Sequence, residues 1–185
     1  MGRALVETYP GIRSLYDEAS SVLGYDIAAL CFEGPAERLN LTEYTQPALL
    51  VSSMAAFRAF ELLGITPVAV AGHSLGEYSA LVAAGGMTYR EAVAIVQKRG
   101  RYMAEAVPPG TGLVAALLGL AADVVKEVCR EASSVGVVAA ANFNSPGQVV
   151  IAGEKAAVER PLNWRRPRDV RRRSPSLSVC RYIRL

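Results

Sequence analysis

The feature that most constrains the fold is the pentapeptide Gly72-His73-Ser74-Leu75-Gly76, a G-x-S-x-G pattern. It follows residues 67–71, a short apolar run typical of a buried parallel strand, and precedes residues 77–84, which have a helical pattern ended by two glycines. A turn this tight requires glycine on both flanks, because side chains there would meet the crossing backbone. The pattern predicts an α/β fold with Ser74 at the C-terminal edge of a sheet.

Ser74 is predicted to act as a nucleophile. Its hydroxyl projects from the turn beside a helix N-terminus, where free N–H groups and the positive end of the helix dipole stabilise an oxyanion. The backbone N–H of Leu75 is the natural oxyanion donor. Serine also needs a base. His73 is the only histidine of the chain, but neighbouring side chains on a sharp turn point apart, so we expect it to pack or to hydrogen-bond instead.

Three further polar residues are candidates for binding. Arg99 lies late in a predicted helix, where a guanidinium can bind a carboxylate through two hydrogen bonds, although the residues alone favour a solvated arginine near a helix C-terminus. Gln46 is equally consistent with the polar start of a helix, and Asn144, like Asn142, with a turn. The three cysteines are widely spaced and contain no C-x-x-C pair, so the sequence predicts no metal site and a reducing compartment.

The chain has different patterns on the two sides of a Pro- and Gly-rich break at residues 108–112. Before the break, helices are predicted at 3–23, 46–63 and 89–106, the last opened by a capping box at 88–91. After it, the predicted order is strand, helix, strand, strand and helix, at 113–118, 123–132, 135–141, 148–152 and 154–160, with a turn at 142–147. This order is ferredoxin-like, short of its last strand. We therefore divide the chain into residues 1–111, 112–160 and 161–185.

Charge is distributed unevenly along the chain. Residues 161–185 hold eight of the 20 basic residues and one of the 17 acidic ones, so this Arg-rich tail has a net charge of +7 and residues 1–160 a net charge of −4. The acidic body gives no electrostatic support for nucleic-acid binding by the fold. No run approaches a membrane span and the N-terminus lacks a secretory signal, so we expect a cytoplasmic protein that binds no membrane.

The chain resembles the malonyl-CoA:acyl-carrier-protein transacylases and the acyltransferase domains of fatty-acid and polyketide synthases. The resemblance covers residues 1–160 in family order. The segments that carry it are GHSLGEYSA at 72–80, GPAERLN at 34–40, TQPALL at 45–50, QKRG at 97–100, MAEAVP at 103–108 and NFNSPGQVVIAG at 142–153. It implies an α/β fold with a partial α/β-hydrolase-like core and an inserted, partial ferredoxin-like α+β subdomain.

The resemblance also implies a reaction and its residues. Ser74 would attack the thioester of malonyl-CoA, Leu75 would supply an oxyanion N–H, and Arg99 would pair with the malonyl carboxylate. The malonyl-serine ester would then pass its acyl group to the phosphopantetheine thiol of acyl carrier protein. Malonyl-CoA is the substrate, and no bound cofactor, metal or nucleic acid is implied. The weaker candidates for substrate binding are Gln46, His73 and Asn144.

Two parts of the family pattern are absent. The family begins with a PGQGSQ-type loop whose glutamine helps to form the oxyanion hole, and its catalytic histidine lies in a stretch resembling LPVSVPxHS. Codons allowed for residues 176–184, read from one nucleotide earlier, translate to LPVSVPLHS, so we interpret residues 161–185 as a frameshifted translation. Without the histidine and the loop, we expect this chain to transfer little or no malonyl. An organellar location stays open because the true N-terminus is in doubt.

Three other interpretations remain open from the sequence. The first is an α/β-hydrolase esterase that shares only the G-x-S-x-G turn, but it would need a histidine after Ser74. The second is a non-catalytic fragment that still binds acyl carrier protein. The third treats the Arg-rich tail as a nucleic-acid arm, whose binding would depend steeply on salt.

Overall fold

The chain consists of two units. The computed structural model describes residues 1–107, 110–162 and 182–183, and it divides into a first unit, Met1–Ala106, and a second that begins at Val107. The mixture of helices and strands confirms the predicted class at that level. The Arg-rich tail and its interpretation as a frameshift lie outside the described residues, apart from residues 161–162 and 182–183.

The first unit, all of which the structure describes, is helical. Its elements are α1 (Arg3–Thr8), a 3-10 turn (Pro10–Ile12), α2 (Arg13–Leu23), α3 (Ile27–Glu33), α4 (Ala36–Leu39), α5 (Thr42–Leu62), α6 (Gly76–Ala83) and α7 (Tyr89–Ala106). The helices predicted after the G-x-S-x-G pattern and after the capping box therefore correspond to α6 and α7.

The helix predicted over residues 3–23 is interrupted at Tyr9. Tyr9 has φ −128° and ψ 84°, outside the helical region, and the 3-10 turn that follows begins at Pro10. Proline has no N–H, and its ring disfavours the helical conformation of the residue before it. The segment therefore forms two helices, α1 and α2, instead of one.

Helix α5 begins at Thr42, earlier than the predicted start at Gln46. Pro47 therefore lies in the second turn of the helix, where it deprives only the Glu43 carbonyl of its helical donor. Gly100 of α7 packs tightly against the same place, since a Cβ on Gly100 would be 2.9 Å from Glu43 Cα. The glycine allows the middle of α7 to approach the start of α5 closely.

The core of the first unit is built from small and branched apolar side chains. Its buried residues include Ala48, Leu50 and Val51 of α5 together with Val93 and Val96 of α7. Short and branched side chains permit helix axes to approach and fill the space between them without voids. The packed pair α5 and α7 forms the support on which the polar residues described below are arranged.

The strand predicted at residues 67–71 does not form, and the described first unit contains no strand. A strand is held by hydrogen bonds to a neighbouring strand, and none lies beside this segment within residues 1–106. All residues from 61 to 71 are exposed, and Val68 is completely so. Ser74 therefore does not lie at the edge of a sheet in this structure, although the chain still turns sharply into α6.

The predicted capping box at the start of α7 is present. The Glu91 carboxylate accepts hydrogen bonds from the Thr88 hydroxyl at 2.6 Å and from the Thr88 N–H at 3.0 Å. The Thr88 hydroxyl oxygen in turn accepts the Glu91 N–H at 3.2 Å. The two bonds from Thr88 hold the pKa of the Glu91 carboxyl below its ordinary value.

Replacing Thr88 with alanine is expected to lower the free energy of unfolding at neutral pH by about 1 kcal/mol, because a helix cap is lost. A carboxyl whose pKa is lowered on folding stabilises the fold above its unfolded pKa, and this contribution disappears as the pH falls through the folded pKa. The difference in the free energy of unfolding between the wild type and Thr88→Ala should therefore become smaller in acid. Chemical denaturation at a series of pH values measures this difference, and a difference that does not change with pH would contradict the role given to Glu91.

The second unit contains a four-stranded antiparallel sheet and two helices among its described residues. Its elements are β1 (Gly112–Leu118), α8 (Ala122–Ala132), β2 (Val138–Ser145), β3 (Gln148–Glu154), α9 (Lys155–Leu162) and β4 (Tyr182–Ile183). The strand order is β2-β3-β1-β4, and each neighbouring pair is antiparallel. From β1 to α9 the elements follow the predicted order.

The turn predicted at residues 142–147 is shorter than expected. Asn142 and Asn144, which the sequence analysis interpreted as turn residues, lie in β2 and are part of the hairpin with β3. Only Pro146 and Gly147 form the turn. Gly147 has φ 80°, a left-handed conformation that glycine adopts without steric cost, so two residues suffice to reverse the chain.

Candidate active site

Ser74 has a strained backbone conformation. Its φ of 54° makes it the one non-glycine residue with positive φ among the described residues. A side chain in this region crowds its own backbone, and such strain is typical of functional turns. The conformation turns the chain directly into α6, and it leaves the serine side chain exposed.

The two glycines that flank this turn have different steric environments. A Cβ on Gly72 would be 1.9 Å from the carbonyl carbon of Gly76, far closer than two non-bonded atoms can approach. A Cβ on Gly76 would have no atom within 4 Å apart from its chain neighbours and the backbone of its own helix. The expectation that both glycines are needed for space is therefore wrong for the described residues, where only Gly72 is needed.

Backbone N–H groups at the start of α6 are directed towards the turn. The N–H of Gly76 donates to the His73 carbonyl at 2.9 Å, and that of Glu77 donates to the Ser74 carbonyl at 3.3 Å. The N–H of Leu75 has no acceptor among the described residues. It is therefore available to an oxygen atom of a bound ligand beside Ser74.

Arg99 of α7 is hydrogen-bonded to Ser74. Its Nη2 donates to Ser74 Oγ at 2.9 Å, its Nη1 donates to Gln46 Oε1, and its Cζ lies 6.0 Å from the centre of the Tyr78 ring. Arg99 is half-buried. The solvated arginine that the residues alone favoured is therefore not what the structure contains.

Gln46 of α5 lies behind Arg99, away from solvent. It is 6% exposed and is the one polar residue among the buried residues that the structure describes. Its Nε2 donates to the Met103 sulfur at 3.0 Å while its Oε1 accepts from Arg99. Gln46 is thus a buried bridge between α5 and α7, and the interpretation as ordinary polarity at a helix start is wrong.

The positive charge of Arg99 has no carboxylate partner in the described part of the chain. The described ion pairs involve other arginines and lysines, at Arg13, Arg58, Arg90, Lys126 and Arg130. Beside Arg99, an open apolar pocket of about 440 Å³ lies along one face of α7 and is lined by Ile95, Lys98, Arg99, Tyr102, Met103 and Ala106. An uncompensated guanidinium next to a hydroxyl and a pocket favours binding of an anionic ligand.

Of the other predicted residues, one in the first unit makes no hydrogen bond at this site, and one belongs to the second unit. His73 is exposed, and its side chain makes no hydrogen bond to any residue that the structure describes. Asn144 belongs to the second unit, where its Nδ2 donates to Gln148 Oε1 at 3.3 Å. Within the described ranges there is no cluster of residues that could hold a metal ion and no helix long and apolar enough to cross a membrane.

Two residues of the site were not singled out by the sequence analysis. Tyr78 of α6 has its ring 6.0 Å from Arg99 Cζ, and Met103 of α7 accepts from Gln46 Nε2. Met103 follows Arg99 by four residues in the same helix, and residues four apart on a helix share a face. This spacing could have identified Met103, whereas no local signal identifies Tyr78.

Comparison with protein families gives one family for almost the whole chain. A model of the acyl transferase domain matches residues 1–179. Two relatives, both malonyl CoA-acyl carrier protein transacylases, are 52% identical over 157 residues in Escherichia coli and 49% identical over 160 residues in Bacillus subtilis. The matches cover 84% and 86% of this chain but 51% and 50% of the relatives, so the chain spans about half their length.

Solved structures agree with these matches. An acyl-carrier-protein S-malonyltransferase from Burkholderia pseudomallei is 52% identical, with a TM-score of 0.79 over 83% of this chain and 50% of the other. A malonyl-transacylase in complex with its type II PKS acyl-carrier protein is 48% identical, with a TM-score of 0.83 over 88% of this chain and 53% of the other. At sequence identities of 52% and 48%, the two likenesses indicate a shared family as well as a shared fold.

Proposed function

Because this chain belongs to the acyl transferase domain family, we propose that the protein transfers a malonyl group from malonyl-CoA to the phosphopantetheine thiol of acyl carrier protein, in fatty-acid biosynthesis. The observation that carries this proposal is the hydrogen bond of 2.9 Å that Arg99 Nη2 donates to Ser74 Oγ. The Arg99 guanidinium has no carboxylate partner among the described residues, so it can bind an anion. The hydrogen bond therefore brings an anion-binding group within reach of a nucleophile. The names of the relatives at about half identity support the same substrate and partner.

The reaction proceeds in two steps through Ser74. The Ser74 oxygen attacks the thioester carbonyl carbon and the C–S bond breaks, while the serine proton passes through solvent water to the departing sulfur, which leaves as the thiol of coenzyme A. The N–H of Leu75 stabilises the oxyanion that forms on the carbonyl oxygen. The thiol of acyl carrier protein then attacks the malonyl-serine ester and restores the serine. No bound cofactor takes part.

Arg99 selects the acyl group. The malonyl carboxylate accepts two hydrogen bonds from the guanidinium and compensates its charge. An acetyl group has no carboxylate and gains no ion pair from the half-buried guanidinium, so malonyl-CoA binds more tightly than acetyl-CoA. Gln46 and Ser74 use one guanidinium N–H each, so the remaining donors are available to the substrate carboxylate beside Ser74.

Transfer by this chain is proposed to be slow. His73 is the only histidine of the chain, and within the described residues it forms no side-chain hydrogen bond with Ser74. A serine nucleophile without a general base reacts several orders of magnitude more slowly. We therefore expect malonyl-CoA to bind to the protein but to acylate Ser74 only slowly.

We also propose the finer description of the fold that the resemblance implies. Residues 1–111 correspond to a partial α/β-hydrolase-like core and residues 112–160 to a partial ferredoxin-like subdomain. The sharp turn at Ser74 into α6 supports the first, and the antiparallel strand order β2-β3-β1 with α8 and α9 supports the second.

Incubation with malonyl-CoA, followed by peptide mass spectrometry, tests the proposed function. We expect a malonyl ester on Ser74 that forms slowly, is absent from Ser74→Ala, and passes little or no malonyl to added acyl carrier protein. Equal acylation by acetyl-CoA would contradict the proposed substrate. Rapid transfer would contradict the proposed loss of activity, and hydrolysis of a simple ester without a carrier thiol would favour an esterase.

A second candidate function is binding of acyl carrier protein without transfer. The observation that favours it is the exposed His73, which leaves Ser74 without a base among the described residues. Titration of the carrier protein into the wild type and Ser74→Ala separates the two. Equal affinity for both proteins, with no ester on either, would support a binding role alone.

A further inference from the structure

We infer that Gln46 is a positioning residue, which holds the Arg99 guanidinium in place and leaves its charge uncompensated for the substrate carboxylate without contacting the substrate itself. This inference rests on the proposed function. It changes the role of Gln46 from one of direct substrate binding, which the resemblance implied.

Burial separates Gln46 from the substrate. Gln46 is 6% exposed, whereas Ser74 is exposed and Arg99 half-buried. A ligand that arrives from solvent at Ser74 meets the guanidinium first, and Gln46 contacts the guanidinium from the buried side. Gln46 therefore acts on the substrate through Arg99.

Two neighbours fix the orientation of the Gln46 amide. An amide has one end that accepts and one that donates, a guanidinium only donates, and a thioether only accepts. Arg99 therefore requires the oxygen on its side, and the Met103 sulfur, 3.0 Å from Nε2, requires the NH₂ on the other. A flipped amide would lose both bonds, so the oxygen stays directed at Arg99.

A neutral acceptor leaves the guanidinium free to bind an anion. Arg99 has five N–H donors, of which one goes to Gln46 and one to Ser74. The others remain for a carboxylate. A glutamate at position 46 would hold Arg99 equally well but would form an ion pair that compensates its charge, and the described residues place no carboxylate on Arg99. A neutral amide at position 46 thus orients the arginine and leaves its positive charge available to the substrate carboxylate.

The backbone sets the separation between the two side chains. The contact of Gly100 with Glu43, where a Cβ would be 2.9 Å from Cα, joins the residue after Arg99 to the turn that contains Gln46. Neither helix can move away from the other without loss of this contact. The bridge is therefore part of the α5–α7 packing and does not depend on a mobile loop.

The test compares Gln46→Glu with a control, Gln97→Leu. Gln97 lies on the same helix as Arg99, but its Nε2 donates to the Leu23 carbonyl at 3.0 Å, so its loss affects packing and not Arg99. Isothermal titration calorimetry gives dissociation constants for malonyl-CoA and acetyl-CoA, and circular dichroism verifies folding. We expect Gln46→Glu to weaken malonyl-CoA binding about tenfold with acetyl-CoA unchanged, and Gln97→Leu to keep the wild-type ratio.

The outcomes separate this inference from the proposed function. If the wild type prefers malonyl-CoA and a folded Gln46→Glu keeps the same preference, the inference alone is wrong. If the wild type shows no preference, the proposed function fails and the inference fails with it. A measurement on the wild type covers the case in which the variant does not fold. We expect separate Nη proton signals for Arg99 in nitrogen-resolved NMR, because Gln46 and Ser74 restrict its rotation, and a single averaged signal would overturn the inference.

Discussion

Replacing Arg99 with alanine is expected to weaken malonyl-CoA binding about 100-fold and to leave acetyl-CoA binding unchanged. Two hydrogen bonds between a guanidinium and a carboxylate contribute about 3 kcal/mol together, which corresponds to about two orders of magnitude in the dissociation constant. Acetyl-CoA has no carboxylate on its acyl group, so it loses nothing. Isothermal titration calorimetry with both thioesters measures the two effects in one experiment.

The matched control is Arg101→Ala. Arg101 is an exposed arginine two residues further along α7, so it tests whether any positive charge on this helix attracts the thioester. We expect its removal to change both affinities little, and Arg99→Lys to lie between alanine and the wild type because lysine keeps the charge without the fork geometry. Equal losses for malonyl-CoA and acetyl-CoA in Arg99→Ala would mean that Arg99 binds the coenzyme A portion or supports the fold, and would contradict its proposed role.

Replacing Gly72 with alanine is expected to lower the free energy of unfolding by about 3 kcal/mol. The new Cβ would be 1.9 Å from the Gly76 carbonyl carbon and 2.0 Å from its oxygen, both backbone atoms that no side-chain rotation can move away. The turn would have to open, and steric conflicts of this kind in packed regions cost about 1–3 kcal/mol or more. Opening the turn would also separate Ser74 from Arg99.

Gly76→Ala is the matched control for this prediction, because it adds the same methyl group on the other flank of Ser74. A Cβ there meets nothing within 4 Å, and alanine stabilises a helix by up to about 1 kcal/mol relative to glycine. Urea denaturation should therefore give a large loss for Gly72→Ala and no loss for Gly76→Ala. Equal stability of the two variants would show that the turn is not closed as described.

Features that depend on neighbours in the sequence were predictable. The capping box at Thr88 and Glu91 requires only a spacing of three residues, and the sharp turn at Ser74 requires only its own glycine pattern and the helix after it. The break in the first helix was equally local, since Pro10 restricts Tyr9 whatever lies elsewhere in the chain. The helical spacing of apolar residues over 3–23 continues across Pro10, and for this reason the sequence analysis predicted a single helix there.

Features that depend on distant residues were not predictable. The apolar segment 67–71 has the composition of a strand, but strand formation requires a partner, and none is present in the described first unit. The position of Arg99 is fixed by contacts with Gln46 and Ser74, which are 53 and 25 residues away in the chain. These contacts exist because Gly100 allows α7 to approach α5, and no local pattern contains that information. The residues alone therefore favoured a solvated arginine.

A crystal structure of the protein with malonyl-CoA would test the central claim most directly. The account predicts that the malonyl carboxylate accepts hydrogen bonds from Arg99, that the thioester carbon faces Ser74 Oγ, and that the carbonyl oxygen lies near the N–H of Leu75. A carboxylate directed into solvent, with Arg99 still bonded to Ser74, would contradict it.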